Sequence, residues 1–493
     1  MESPTSLPAT EVDFSDVFGD AEWQLLDDSN GRDSDFDTKS DVAKHDLLTA
    51  PLMTREAHMM RASDGYPAQY GVLGKVLSIY SKGQKEVLDD QRLYLNTNAP
   101  FSAIVCGVQG SGKSHTVSTM LECMLISNFP PIGSLKKPLS GLVLHYGEGG
   151  LNALPNEAAW LSSSLSSQAS GLPVRVYVSR ASLQTMRTVY SPFGDRVTIE
   201  PLQFHSSELD AAAILSMMAV GSNSPPLYMQ IILAILRELG EDYTYDAFMV
   251  QLNASKKTFN PAQLAGLEQR LSLLNSFLDT APISKKPASK RPARFNAGVL
   301  TIIDLSDPFL DVASACGLFE IIIRLFVRTD VGSGKVLVVD EAHKYLSPER
   351  HSTGLTNALL NLIRQQRHLA MRVIISTQEP TVVPPVLLDL CSVAVLHRFS
   401  SPTWWQHLVQ HVPTDFSDSD AFDKVVKLQT GHSIVLAPSG IGLFKISEFN
   451  MDVDQHRGAM TKDIARFGRR YLLVKTRKRV TVDGGASILV LNP

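Results

Sequence analysis

With 493 residues and a 44% hydrophobic content, the chain can bury at least one large core and is long enough for two or three domains, which excludes a wholly disordered protein. Its formal charge of −4 hides an uneven distribution: residues 1 to 50 carry thirteen Asp/Glu against three Lys/Arg, leaving a mildly basic remainder that is compatible with a polyanionic partner without being diagnostic of one. No apolar run approaches the ~18 residues of a membrane span and the Met1 end is acidic, so a soluble intracellular protein, cytoplasmic or nuclear and without membrane insertion, is expected.

Residues 1–60, rich in Asp and Ser, read as an acidic disordered tail. From about Gly71 short strand-like runs begin, Gly71 to Ile79 and Arg92 to Leu95, and they lead into the apolar stretch Phe101 to Cys106. Further apolar runs bounded by turn residues follow at Gly141 to Tyr146, Val174 to Val178, Val299 to Leu305, Lys335 to Val339, Arg372 to Ser376 and Val393 to Leu396. Helical periodicity separates several of them, at Lys113 to Ile126, Phe309 to Val327, Gly354 to His368 and Pro402 to Val409. That alternation predicts an α/β fold, a parallel sheet covered by helices. Residues 150–298 are mainly helical in period and read as an insertion ending in a basic, proline-rich loop over 284–295. Residues 65–456 would then form the main α/β domain, and 457–493 a basic C-terminal extension. Within that extension, Arg466 to Arg479 is a candidate for polyanion contact, against the reading of strands with charged outer faces. The four cysteines, Cys106, Cys123, Cys316 and Cys391, are far apart and contain no CxxC pair, as expected of reduced core thiols.

Gly107-Val108-Gln109-Gly110-Ser111-Gly112-Lys113-Ser114 fits G-x-x-x-x-G-K-[ST] and lies between an apolar strand and a helix, the context a phosphate-binding loop requires. Glycines are needed because the backbone must wrap the phosphates with its N–H groups inward, where a side chain would block the approach. Lys113 is then expected at the β- and γ-phosphates, Ser114 on Mg²⁺, and the run through His115 in contact with ATP. Val336-Leu337-Val338-Val339-Asp340-Glu341 runs from four apolar residues into two carboxylates, as where a buried strand ends at a nucleotide cleft. Asp340 is expected in the Mg²⁺ shell and Glu341 at the attacking water. Asp340 to His343 spell Asp-Glu-Ala-His, yet the Ser-Ala-Thr and Gln-Arg-x-Gly-Arg segments of DEAH-box helicases are absent, as is the LSGGQ signature of ABC ATPases.

With both motifs placed, the order of the flanking segments resembles the HerA/FtsK superfamily of DNA-pumping ATPases, in particular its HerA-like branch. The likeness runs from about Gly71 to Val453 and is carried by Ile303-Asp304-Leu305-Ser306, Asp340-Glu341-Ala342-His343, Arg364 to His368 followed by Ser376-Thr377-Gln378-Glu379-Pro380, and Leu428-Gln429-Thr430-Gly431. The resemblance implies a RecA-like (ASCE) P-loop fold and an ATP- and Mg²⁺-dependent hydrolase acting on DNA from a homo-oligomeric ring, a hexamer in the superfamily. It also implies a polar sensor at Gln378 and an arginine acting across a subunit boundary, with Arg364 and Arg367 as candidates and Arg398 as a third. Where relatives end their second strand in an acid, this chain has Leu144-His145-Tyr146-Gly147-Glu148, which leaves only Glu148 for that place. Two other functions stay open: a regulatory ATP switch controlling a protein partner, and a non-hydrolysing ATP-binding scaffold.

Overall fold

The computed structural model describes residues 48–60, 69–127, 129–150, 152–165, 171–218, 228–279, 293–346, 354–412, 419–445 and 462–485. The expected disorder of residues 1–47 and most of the basic loop 284–295 lie outside these residues.

One mixed sheet organises the chain. Its parallel half contains, in spatial order, β9 (Val197–Pro201), β8 (Val174–Val178), β10 (Leu300–Asp304), β7 (Ser140–His145), β11 (Lys335–Val339), β12 (Met371–Thr377), β5 (Ser102–Cys106) and β13 (Val393–Leu396), numbered along the chain. Beyond β13 the sheet turns antiparallel through β14 (His432–Leu436), β17 (Tyr471–Thr476), β2 (Tyr70–Ser81), β4 (Arg92–Asn96) and β1 (Leu52–Thr54). Strand β15 (Ile441–Lys445) pairs with β1 and with β16 (Lys462–Arg466), and two short strands, β3 (Gln84–Glu86) and β6 (Gly133–Ser134), flank β2.

The central strands are apolar at nearly every position because both faces are covered. Along β11, Val336 and Val338 enter one core and Leu337 and Val339 the other; β10 divides in the same way, with Leu300 and Ile302 opposite Ile303. Helix α1 (Lys113–Leu125) fills the first core with Met120, Leu121 and Met124. On the other face lie α6 (Val312–Arg328), with Leu318, Phe319 and Ile322 buried, and α7 (Gly354–Gln365), with Leu355 and Leu359 buried. Four helices join that same core: α2 (Ala211–Met218), α3 (Tyr228–Leu239), α4 (Tyr245–Ser255) and α5 (Pro261–Ser276).

Three boundaries move. The tail read as 1–60 ends earlier, since Leu52, Met53 and Ala57 are fully buried in β1 and the short helix Arg55–Met60. The region read as a helical insertion over 150–298 also supplies β8 and β9, which extend the sheet past β10 with the short helix Leu183–Val189 between them, and its longer helices follow from Ala211. The stretch read as a C-terminal extension supplies β17 to the middle of the sheet, between β14 and β2.

Candidate functional site

The phosphate loop leaves the C-terminal end of β5 at Gly107 and enters α1 at Lys113. A Cβ on Gly107 would meet His397 Cβ at 2.7 Å, and one on Gly112, whose φ is 108°, would meet the Gly431 nitrogen at 2.9 Å. Only bare backbone fits at those two points, whereas Gln109 and Gly110 form an exposed crest. The crest is held by the Leu-x-x-Gly turn: Gly431 N donates to Ser111 O at 3.2 Å and Thr430 Oγ1 to Gly110 O at 3.4 Å. The Val108 carbonyl accepts from Ser111 Oγ at 2.6 Å and Lys113 Nζ at 3.1 Å, while Val108 N donates to Arg398 O at 3.0 Å.

Strand β12 lies between β5 and β11, so three adjacent parallel strands end together: the loop follows Cys106, Asp340 and Glu341 follow Val339, and Gln378 follows Thr377. Nucleotides bind such sheets in the crevice beyond the carboxyl ends of the strands. Burial pushes the Lys113 ammonium down, and the charges of Glu341 and Asp340 oppose that shift, which places both carboxylates within electrostatic reach of the loop lysine.

The two carboxylates have different surroundings. Asp340 Oδ2 accepts from Asn156 Nδ2 at 2.8 Å and is 3.2 Å from His145 Nδ1, and Tyr345 Oη fixes the Asp340 carbonyl at 2.7 Å. Burial works to raise the Asp340 carboxyl, but the hydrogen bond and charge of His145 and the Asn156 amide outweigh it and hold the group below the usual carboxylate range. The His145 imidazole is raised in turn: burial disfavours its charge, but Asp340 and the neighbouring Asp304 favour it more. Asp304, closing β10, accepts from Tyr190 Oη at 2.6 Å, and Asn156 N donates to the same Tyr190 oxygen at 3.1 Å, so one buried network seats both aspartates.

Glu341 stands in the left-handed region, φ 49° and ψ 43°, uncommon for a residue with a Cβ. Gln378 Nε2 donates to its two carboxylate oxygens at 3.1 and 2.8 Å, and His343 Nε2 is 3.4 Å from Oε2. Gln378 N points to His343 Nδ1 at 3.4 Å, which assigns the proton of a neutral imidazole to Nε2, facing Glu341. Burial, more than any nearby charge, keeps the His343 pKa low. Glu341 is thus aimed by two side chains, Gln378 and His343. The hydroxyl and carboxylate oxygens of Ser114 and Asp340 are hard donors of the kind that suits Mg²⁺.

Other expected residues lie elsewhere. His115 turns its ring from the loop, 3.0 Å from Asp483 Oδ2 and 2.8 Å from the Arg477 carbonyl, so only its backbone remains on the nucleotide side. Arg364 and Arg367 are exposed at the end of α7, which leads into the start of β12, the full length of that strand from Gln378. Arg398 sits beside the loop with its side chain exposed. Glu148 is exposed, and the second strand brings His145 to Asp340 instead. Sequence reasoning missed His145, Asn156 and His343 as site residues; His343, fourth in Asp-Glu-Ala-His, was the only one of the three with a local signal.

The C-terminal segment grips α1. Fully buried Glu122 accepts from Arg477 Nη1 at 2.7 Å, Thr481 Oγ1 at 2.6 Å, and the amides of Val480 and Thr481 at 3.1 and 3.0 Å. Nearer the loop, Thr116 Oγ1 lies 2.9 Å from Thr476 Oγ1 and 3.0 Å from His397 Nε2.

No family model matches the sequence, and no curated protein matches it. Among solved structures the chain is similar to VirB4 of Thermoanaerobacter pseudethanolicus, at 12% identity over 83% of this chain and 97% of that one, with a TM-score of 0.41. It is also similar to the bacterial conjugative coupling protein TrwB (12% identity, 73% and 86% covered, TM-score 0.39). A third is the genome-packaging NTPase B204 of Sulfolobus turreted icosahedral virus 2 in complex with AMP (10% identity, 68% and 91% covered, TM-score 0.27). By the order of its parallel strands and the loop that joins β5 to α1, the chain has the P-loop NTPase fold.

Proposed function

We propose that this protein is a Mg²⁺-dependent ATPase that couples hydrolysis to translocation or remodelling of DNA. The observation that carries the hydrolytic part is the meeting of Lys113, Asp340, Glu341 and Gln378 at the ends of three neighbouring strands. The loop amides and Lys113 would bind the β- and γ-phosphates and stabilise the charge that develops as water attacks in line. Ser114 and Asp340 would hold the metal, with His145 and Asn156 fixing the aspartate from behind. Bound Mg²⁺ would supply charge neutralisation at the phosphates. Glu341, aimed by Gln378 and His343, would orient and polarise the water, and Gln378 is placed to exchange its Glu341 hydrogen bonds for one to the γ-phosphate or its water.

The DNA part rests on the order of motifs and its HerA-like resemblance. Arg364 and Arg367, at the far end of β12, could serve only a neighbour's nucleotide, which is why a ring, a hexamer, belongs to the proposal. ATP turnover measured with and without DNA, together with native mass of the ATP-bound protein, tests both parts. Turnover that is magnesium-dependent, DNA-stimulated and found in a ring is expected. Turnover indifferent to DNA would favour the regulatory switch instead.

A further inference from the structure

The basic stretch 466–479 divides on folding. Arg477 and Arg479 turn inward, to Glu122 and to Glu157 (3.0 Å) respectively, while Lys475 and Lys478 stay exposed. Because Thr476 reaches α1 through Thr116, its neighbour Lys475 leaves β17 on the opposite face. There the antiparallel register sets Lys475 directly across from Lys75 of β2, and Lys75 directly across from Arg92 of β4. On the other flank, His432 of β14 is the cross-strand partner of Lys475. Arg92, Lys75, Lys475 and the His432 imidazole, which burial and Lys475 keep from charging, therefore form one row across four strands, about 14 Å long at ~4.8 Å per strand, with the three cations adjacent. Lys75, Arg92, Lys475 and Lys478 line an open cleft of about 380 Å³.

Like charges directly opposite one another on a sheet are destabilising. Asp90 offsets one of them, bonding Arg92 Nε at 2.8 Å. Among the described residues Lys75, Lys475 and Lys478 have no ion-pair partner. A strand kept only for packing would gain from a neutral residue at either Lys75 or Lys475. We infer that this row is a binding site for the phosphate backbone of a nucleic acid strand. Its linear form and exposed ammonium groups suit a chain of phosphates, contacts that position a strand without reading its bases. The inference builds on the reading of the protein as a DNA-acting ATPase and adds a place where the polymer is held.

The test uses the full chain carrying Lys75→Gln and Lys475→Gln together, a labelled single-stranded oligonucleotide of mixed sequence, and anisotropy titrations across a salt series. The double variant should bind more weakly, with the slope of log K against log salt reduced by about 1.4, or 0.7 for each lost charge. Its melting temperature should hold or rise as the opposed charges are removed, which separates lost contact from lost folding. Lys257→Gln, an exposed lysine in the helical region, should change neither. An unchanged slope in the double variant, while wild-type turnover is stimulated by DNA, overturns the row and leaves the ATPase reading standing. Absence of both salt-dependent binding and DNA stimulation in the wild type overturns the two together. Retention on phosphatidylserine vesicles without oligonucleotide binding also overturns the row, in favour of a lipid surface.

Discussion

Glu122 offers a direct measure of how firmly the C-terminal segment holds the phosphate-loop helix. Glu122→Gln keeps the shape and one carbonyl oxygen, but removes the charge facing Arg477 and one of the two acceptors now shared among a guanidinium, a hydroxyl and two amides. Breaking a buried ion pair by removing one partner costs about 3–5 kcal/mol. Arg477 keeps its bonds to the carbonyls of Val72 and Lys478, which places the expected loss near the lower end, about 3 kcal/mol. Arg477→Gln should cost a similar amount by stranding the carboxylate. The double variant should lose clearly less than the sum, with a coupling of about 1–3 kcal/mol. Urea unfolding of the four proteins supplies the cycle, and proteolysis within 477–485 should accelerate in each single variant. Additive losses, or single losses below about 1 kcal/mol, would refute the idea that this pair fastens the segment to α1.

Glu341→Gln should still bind ATP but hydrolyse it about 10²–10⁴-fold more slowly, as read by single-turnover phosphate release. Gln378→Ala should also slow turnover while leaving nucleotide affinity near normal, because it frees the Glu341 carboxylate without touching the loop. Gly112→Ala should abolish nucleotide binding in calorimetry, since a left-handed backbone and a 2.9 Å approach to Gly431 both exclude a methyl group. Stability should depend on pH through His397, fully buried, whose pKa burial lowers from 6.5 to about 4 against the hydrogen bond to the His432 carbonyl. The unfolded chain takes up that proton first, so stability is complete above about pH 6.5 and declines as pH falls toward 4, by up to about 3 kcal/mol. His397→Asn should flatten denaturation midpoints across that window; an unchanged pH dependence would remove His397 as its source.

The loop and the Asp340–Glu341 pair were legible because each is a contiguous string whose chemistry dictates its neighbours: an apolar strand, then glycines or carboxylates. The parallel strands were legible for a related reason, since burial on both faces leaves unbroken runs such as Val336–Val339. What escaped were contacts made by pairing across the chain. His145 and Asn156 meet Asp340 from 195 and 184 residues away, and neither has a local pattern that announces the meeting. For β17 it was the place in the sheet that escaped: Leu472 to Val474 reads as a strand with a charged outer face, but nothing local shows that it lies between β14 and β2, with Leu472, Val474 and Thr476 buried. Strand β1 was lost to composition: it follows an acidic tail, and its three residues Leu52–Thr54 are too short a run to show a period.

The late position of β17 in the sequence bears on how the protein is made. During synthesis β14 and β2 both exist before Tyr471–Thr476 has been added, and until then each carries an open edge of unpaired amides and carbonyls. The nascent chain therefore holds a slot in its sheet that Tyr471–Thr476 fills, and a product truncated before that segment would keep the slot open to pairing with other chains. Emergence of Tyr471–Thr476, rather than completion of the nucleotide loop, is the moment at which this part of the sheet can close.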